Sequence, residues 1–196
     1  MKLKMSLIHL FWLVISAGIF RYMTSGPNLI WNMFLALVAL DFAYLTYRTK
    51  NTFVKLVGVL LWLLFYPNTF YMLTDIIHMS FAGQALWDRS SMIMFMLYVS
   101  SILFGVLSGV LSLQLIFNSL GVKNIYLRYL VIGNLSFLSS FAIHIGRYAR
   151  LNSWDALTNP MTVVNSMVDV VSWSALPFIA GFTFLQMMTL IFLDRE

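Results

Sequence analysis

Apolar stretches of about 20 residues recur along this chain, each long enough as a helix to cross a bilayer core of about 30 Å. Backbone polar groups inside hydrocarbon have no water to bond, so such stretches must satisfy their own N–H and C=O groups as helices. Of the 196 residues, 61% are hydrophobic and 10% are charged. A soluble domain of this length would be about half apolar and about a quarter charged. The expected fold is therefore all-α: a polytopic membrane helical bundle with six transmembrane helices, forming one integral membrane domain over residues 1–196. The spans are expected at about 5–22, 29–47, 53–73, 90–118, 125–147 and 174–193. The opening MKLKMSLIHLFWLVISAGIF has a charged start and an apolar run like a signal peptide. Because further spans follow, it reads as an uncleaved first helix.

Composition also removes functions. The net charge of +5 does not point to nucleic acid, because the basic residues stand singly at the ends of apolar segments and form no stripe. Cysteine is absent, which excludes thiol catalysis, Cys-ligated metals and disulfides. No cofactor box is visible, and the cofactor is left unknown.

Lys and Arg in the short loops set the orientation. With the N-terminus inside, the cytoplasmic ends carry Lys2, Lys4, Arg48, Lys50, Lys55, Lys123, Arg128 and Arg195, against Arg21, Arg89, Arg147 and Arg150 outside. Both termini are therefore expected in the cytoplasm. The third and fifth spans then run outward, and the loops that follow them, 74–89 and 148–173, share the outer face with Trp31 and Asn32.

Most of the unusual polar residues gather there. Asp75 and His78 stand three apart and share a face if the third helix continues through them. Such a pair can fix a tautomer, act as acid and base, or offer two metal ligands; it also fits a solvated pair beyond the membrane. Pro67 and Asn68 interrupt the same helix, either as a kink packed on a neighbour or as a break lining a binding pocket. His144, Arg147 and Arg150 step by three along the fifth span, a spacing that suits a phosphate or carboxylate and equally suits anchoring to anionic headgroups. In NSWD, Asn152 or Ser153 reads as a helix cap, Trp154 as an aromatic-belt residue, and Asp155 as either a first-turn acid or an ion-pair partner of the arginines. Asp88, in WDR, joins the same face as a binding candidate. Asn159 and Pro160 begin a further helix, amphipathic through MTVVNSMVDVVSW and expected to lie in the interface before the last span.

Elsewhere, Asp41 inside the second span is expected to form a structural ion pair with Arg48 one face-repeat away, with a proton relay as the alternative. Ser101, Gly105 and Gly109 recur every four residues in the fourth span and mark a packing seam, within the chain or between copies. His9 reads as a lipid-facing or core residue.

The stretches WNMFLALVALDFAYL, LLWLLFYPNTFYMLTDIIHMSF, WDRSSMIMFMLYVSSILFGVLSGVLSL and GRYARLNSWDALTNP resemble, in order, the bacterial membrane-protein family called domain of unknown function 1361. The most specific elements are PN-x2-Y-x2-TD-x2-H and GR-x2-R-x-NSWD. The resemblance implies a multi-span protein of the bacterial cytoplasmic membrane; it implies no activity and supplies no catalytic residues.

Patterns of known membrane enzymes are missing: no Ser-Gly-His element, no Gly-x-Ser-x-Gly element, and a single glutamate, Glu196. Three functions fit. The first is an envelope accessory or binding protein, with membrane lipids as partners and an outer polar cluster that docks an anionic lipid headgroup or an envelope protein. The second is an enzyme acting on a lipid-linked phosphate, with Asp75, His78, Arg147 and Asp155 as catalytic candidates, Asp75 and His78 as metal candidates, and Asn68, Asp88, His144, Arg150 and Trp154 as binding candidates. The third is a small transporter, the weakest because its charges lie at the rim.

The absence of cysteine makes the topology directly testable. Single cysteines at Gln84 and Ala156 should label in intact cells with an impermeant thiol reagent, and one at Lys123 should not. Labelling of 84 and 156 from opposite sides would disperse the outer cluster.

Overall fold

The structure, a computed structural model, describes residues 1–23, 26–82, 87–149, 158–170 and 173–194, with side chains at 78–82, 149 and 166–170 outside the description. Among the described residues, six helical segments are long and apolar enough to cross a membrane, as expected: Lys2–Tyr22, Leu29–Arg48, Thr52–Ile77, Arg89–Leu120, Ile125–Tyr148 and Trp173–Phe192. In detail they comprise α1 (Lys2–Tyr22), α2 (Leu29–Arg48), α3 (Thr52–Phe65), α4 (Pro67–Tyr71), a 3-10 segment (Met72–Ala82), α5 (Arg89–Leu120) and α6 (Ile125–Ala149). After α7 (Pro160–Val170) and a short 3-10 turn (Trp173–Ala175) comes α8 (Leu176–Phe192). The α7 helix begins at Pro160, the position where a missing N–H costs nothing, and packs on α6.

Local chemistry fixes the helix boundaries. Asn28 caps α2 by accepting from the Trp31 N–H, and Asn51 caps α3 by accepting from Phe53 and Val54. Asn124 does the same for α6 through Tyr126 and Leu127. At its other end, α5 stops at Gly121, whose φ of 67° lies in the left-handed region that glycine enters without a Cβ clash.

The helices alternate in direction, which puts the C-terminal ends of α2, α5 and α8 beside the N-terminal ends of α3 and α6. Polar contacts bind this proximal end, the one that bears the chain termini. Lys55 Nζ donates to the Ser119 carbonyl at 2.9 Å, and Ser119 Oγ donates to the Thr46 carbonyl at 2.9 Å. Arg128 is nearly buried, with Nε donating to Asp194 at 2.9 Å, its NH2 group paired with the same carboxylate, and its guanidinium 4.7 Å from the Phe117 ring.

Pro67 breaks the third span, and the break is packed against a neighbour. The Asn68 side-chain amide donates to the Phe65 carbonyl at 2.9 Å, and Thr69 Oγ1 donates to the Tyr66 carbonyl at 2.7 Å, so these two side chains serve carbonyls at the interruption. The α4 turn then lies on the small residues of α5. A Cβ at Gly105 would fall 2.8 Å from the Thr69 carbonyl oxygen, and one at Gly109 would fall 2.6 Å from Thr69 Oγ1. The seam is therefore intramolecular at these two positions. Trp62 reaches it as well, donating from Nε1 to Ser112 Oγ at 3.0 Å.

One expectation is overturned. Asp41 pairs with His9 of α1, Nε2 to Oδ2 at 3.2 Å, and not with Arg48, which is exposed. The i+7 spacing does put Asp41 and Arg48 on one side of α2. However, antiparallel packing of α1 brings an imidazole to the carboxylate, while Arg48 sits two turns nearer the helix end, where it can reach water or headgroups. His9 Nδ1 faces the Met5 carbonyl at 2.9 Å, an acceptor, so Nδ1 carries a hydrogen.

The seam makes a sharp comparison possible. Gly105→Ala should destabilise the purified protein by about 1–3 kcal/mol, because a backbone oxygen cannot yield as a side chain can. Gly181→Ala, with nothing within 4 Å of its added Cβ, should leave the unfolding temperature unchanged or raise it slightly. Equal effects at the two glycines would refute the close approach of α4 to α5.

Candidate functional site

At the distal end, opposite the termini, four elements meet at one acidic residue, three of them at its carboxylate. Asp75 belongs to the 3-10 segment and is 2% exposed. Its Oδ2 accepts from Asn32 Nδ2 of α2 at 2.9 Å. Its Oδ1 lies 3.6 Å from Arg147 NH1 of α6, and the same NH1 is 3.4 Å from Thr74 Oγ1. The Asp75 backbone carbonyl accepts from the Tyr98 hydroxyl of α5, which is itself fully buried.

Each participant arrives for a local reason. Asn32 lies in the first turn of α2, just inside its Asn28 cap, so its side chain stands at the membrane boundary. Arg147 sits in the last turn of α6, where a cation also complements the helix dipole. Tyr98 is nine residues into α5 and reaches Asp75 from below. The 3-10 segment runs for 11 residues, whereas such helices seldom exceed three or four, because their hydrogen bonds are poorly aligned. Contacts from α2, α5 and α6 at Thr74 and Asp75 supply tertiary support that the local geometry lacks.

The third span is expected to end near 73, with Asp75 and His78 sharing a face if it continues; the chain does continue, as this tighter winding. With three residues per turn, positions 75 and 78 fall on one row of the segment. The His78 side chain lies outside the described residues, as do Arg150, Trp154 and Asp155. Among the described residues, no group of three or more His, Cys, Asp or Glu side chains gathers as a metal site.

The remaining candidates go elsewhere. Asp88 is the N-cap of α5: its Oδ2 accepts from the Ser91 N–H at 3.0 Å and from the Ser90 and Ser91 hydroxyls. The Ser90 hydroxyl first, then the Ser91 backbone N–H, hold this exposed carboxyl below the usual carboxylate range. Asn68 serves the Pro67 break. His144 is buried between Tyr148 and Phe178, with ring centroids at 4.4 and 5.3 Å. Of the predicted outer cluster, Asp75 and Arg147 are brought together, and Asn32, noted beforehand only for its boundary position, joins them. Tyr98 and Thr74 were missed; a tyrosine inside a long apolar span gave no polar pattern to read, and Thr74 was overshadowed by its neighbour.

Chemically, the arrangement is a fastening more than an open acid. An amide donor and a guanidinium meet this buried carboxyl, and the elements that bring those donors are held with it. Near the distal ends of the helices, Trp31, Trp87, Tyr148 and Trp173 are exposed, as aromatic-belt residues at headgroup depth are.

A family model described as "Protein of unknown function (DUF1361)" matches residues 31–189, which include Asn32, Asp75, Tyr98 and Arg147. No curated protein and no solved structure matches the chain.

Two predictions follow from the contacts. Asn32→Leu and Tyr98→Phe should each destabilise the protein by about 1–3 kcal/mol in thermal unfolding, since each removes a hydrogen bond to a buried acceptor. Unchanged stability in both would mean that these contacts hold nothing. For Asp88, the depressed pKa means that its capping contribution is fully present above the unfolded-state pKa and is lost as pH falls through the lower folded value. The stability gap between wild type and Asp88→Ala should therefore be open at neutral pH and close below the ordinary carboxylate range.

Proposed function

The chain belongs to the DUF1361 family, and we propose that it is an accessory protein of the bacterial cytoplasmic membrane that docks an anionic lipid headgroup at its distal end. The observation that carries this reading is the state of Asp75. Its carboxylate is engaged by Asn32 and Arg147 and removed from solvent, so it is poorly suited to serve as a general base or metal ligand. What the cluster presents outward is its cationic member: the Arg147 side chain is 27% exposed. A guanidinium held at headgroup depth among tryptophans suits a lipid phosphate, which Arg can bind through two parallel N–H bonds.

We assign the distal end to the extracytoplasmic side. The count of Lys and Arg supports cytoplasmic termini by eight to four. With Arg128 set aside because it is paired with Asp194, the balance is still seven to four.

Arg147→Lys separates headgroup binding from fastening, because it keeps a positive charge beside Asp75 and loses the planar fork. In native mass spectrometry of the full-length protein released from membranes containing phosphatidylglycerol, retention of that lipid should fall about tenfold, the effect of losing one charge-assisted hydrogen bond. The unfolding temperature should stay close to wild type. Unchanged lipid retention would reject the docking reading, and loss of a co-purifying protein in its place would identify a protein partner. Turnover of a lipid phosphate, abolished by Asp75→Asn without loss of stability, would establish the enzymatic alternative.

A further inference from the structure

Polar atoms without partners lie along α6 and on the two elements that pack against it, α4 and α8. They are the Tyr66 hydroxyl at the head of α4, Ser136 Oγ, Ser139 Oγ and His144 Nδ1 of α6, and Gln186 Oε1 of α8. None of these five residues is more than 3% exposed, and none of the five atoms has a hydrogen-bond partner among the described residues. The helices are in register here: Gln186 Nε2 donates to Ser140 Oγ at 2.8 Å, and Phe178, two turns away on α8, meets His144, about one turn above Ser140 on α6.

In a soluble protein, one such atom would be unremarkable beside a surface that water can reach. Inside a membrane-spanning bundle, a bare hydroxyl or amide oxygen has only hydrocarbon as its alternative, and five together are a heavy penalty. Something that donates and accepts must therefore meet them. The chemistry of the lining narrows what that is. Every group is neutral or can be so: three hydroxyls, an amide oxygen and an imidazole nitrogen. Between Tyr129 and Gly146, α6 carries no Lys, Arg, Asp or Glu, and α8 carries none at all. Nothing here balances an anion or a metal cation. The atoms are closely enclosed, so an occupant must be small as well as uncharged.

We propose that this interior is a water-binding site: ordered waters bridge Ser136, Ser139 and Gln186, with His144 at the distal end and Tyr66 on the α4 side. From Ser136 to His144 the lining extends about 12 Å along α6. The stacked Phe178 and Phe182 rings, 4.8 Å between centroids on the α8 face between Gln186 and the distal end, give the waters an apolar wall on that side. The waters act as the hydrogen-bonded filling of the α6–α8 seam, where direct side-chain bonds are few. The site is independent of headgroup docking at Arg147, and Arg147→Lys leaves it intact.

The test uses the full-length protein in lipid nanodiscs. Because the chain has no cysteine, Ser139→Cys introduces a single S–H group whose infrared stretch stands alone. A hydrated site gives a band shifted to the lower frequency of a hydrogen-bonded thiol, and in D2O that band is lost to S–D exchange. Phe137→Cys, on the exposed side of α6, supplies the free-thiol reference position. A Ser139→Cys band at the reference frequency that persists in D2O would overturn the proposal. Ser139→Ala provides a second readout that needs no thiol. Removing an anchor of bound water lowers the unfolding temperature, whereas removing a dry, unpaired hydroxyl raises it, and a rise would also overturn the proposal.

Discussion

A carboxylate buried at the edge of a membrane must be paired, and the rest of the distal end is arranged by how Asp75 meets that requirement. Taking a charge out of water costs several kcal/mol even after relaxation, and removing one member of a buried pair typically costs about 3–5 kcal/mol. Arg147 and Asn32 answer the demand from α6 and α2, and Tyr98 holds the adjoining carbonyl from α5. Each donor is fixed to a different helix, so satisfying Asp75 also fixes how far α2, α5 and α6 are slid past one another. The long 3-10 segment persists because its middle is held by these helices.

The proximal end and the centre solve the same problem by different means. Between helices in lipid there is no hydrophobic driving force of the kind that folds soluble proteins, so close packing and polar bonds carry association. The centre uses close packing: Gly105 admits the Thr69 carbonyl, and Gly109 the Thr69 and Phe70 side chains, where an added Cβ would collide. The proximal end uses polar bonds, with Arg128 clasping Asp194 and Lys55 and Ser119 joining α3, α5 and α2. Together, the two ends pin the bundle and the small-residue seam lets its middle close.

Much of this is legible in sequence because hydropathy depends on composition over about 20 residues and not on partners. The six spans, the α7 helix starting at Pro160 and the small-residue seam all come from local patterns. Pairing is not local, and there sequence reasoning divides. Asp75 and Arg147 were legible as members of one face, since both stand at the ends of spans that run in the same direction. Asp41 was assigned to Arg48 because both lie on α2, but its partner His9 comes from a different helix and only the α1–α2 packing reveals it. Asp88 carried a capping signature in its two following serines, yet beside a tryptophan and an arginine it was taken for a binding residue. Tyr98 could not be found at all, because a hydroxyl inside an apolar span has no meaning until the helix across from it is known.

The central claim is that Asp75 and Arg147 act as one unit holding the distal end together. A double-mutant cycle tests it most directly: Asp75→Asn, Arg147→Gln and the double variant, each unfolded reversibly in mixed detergent micelles. The account predicts that the two changes are strongly non-additive, with a coupling energy of about 1–3 kcal/mol. Additive effects, within about 0.5 kcal/mol of zero coupling, would contradict it and leave Asp75 and Arg147 as neighbours that do not depend on each other.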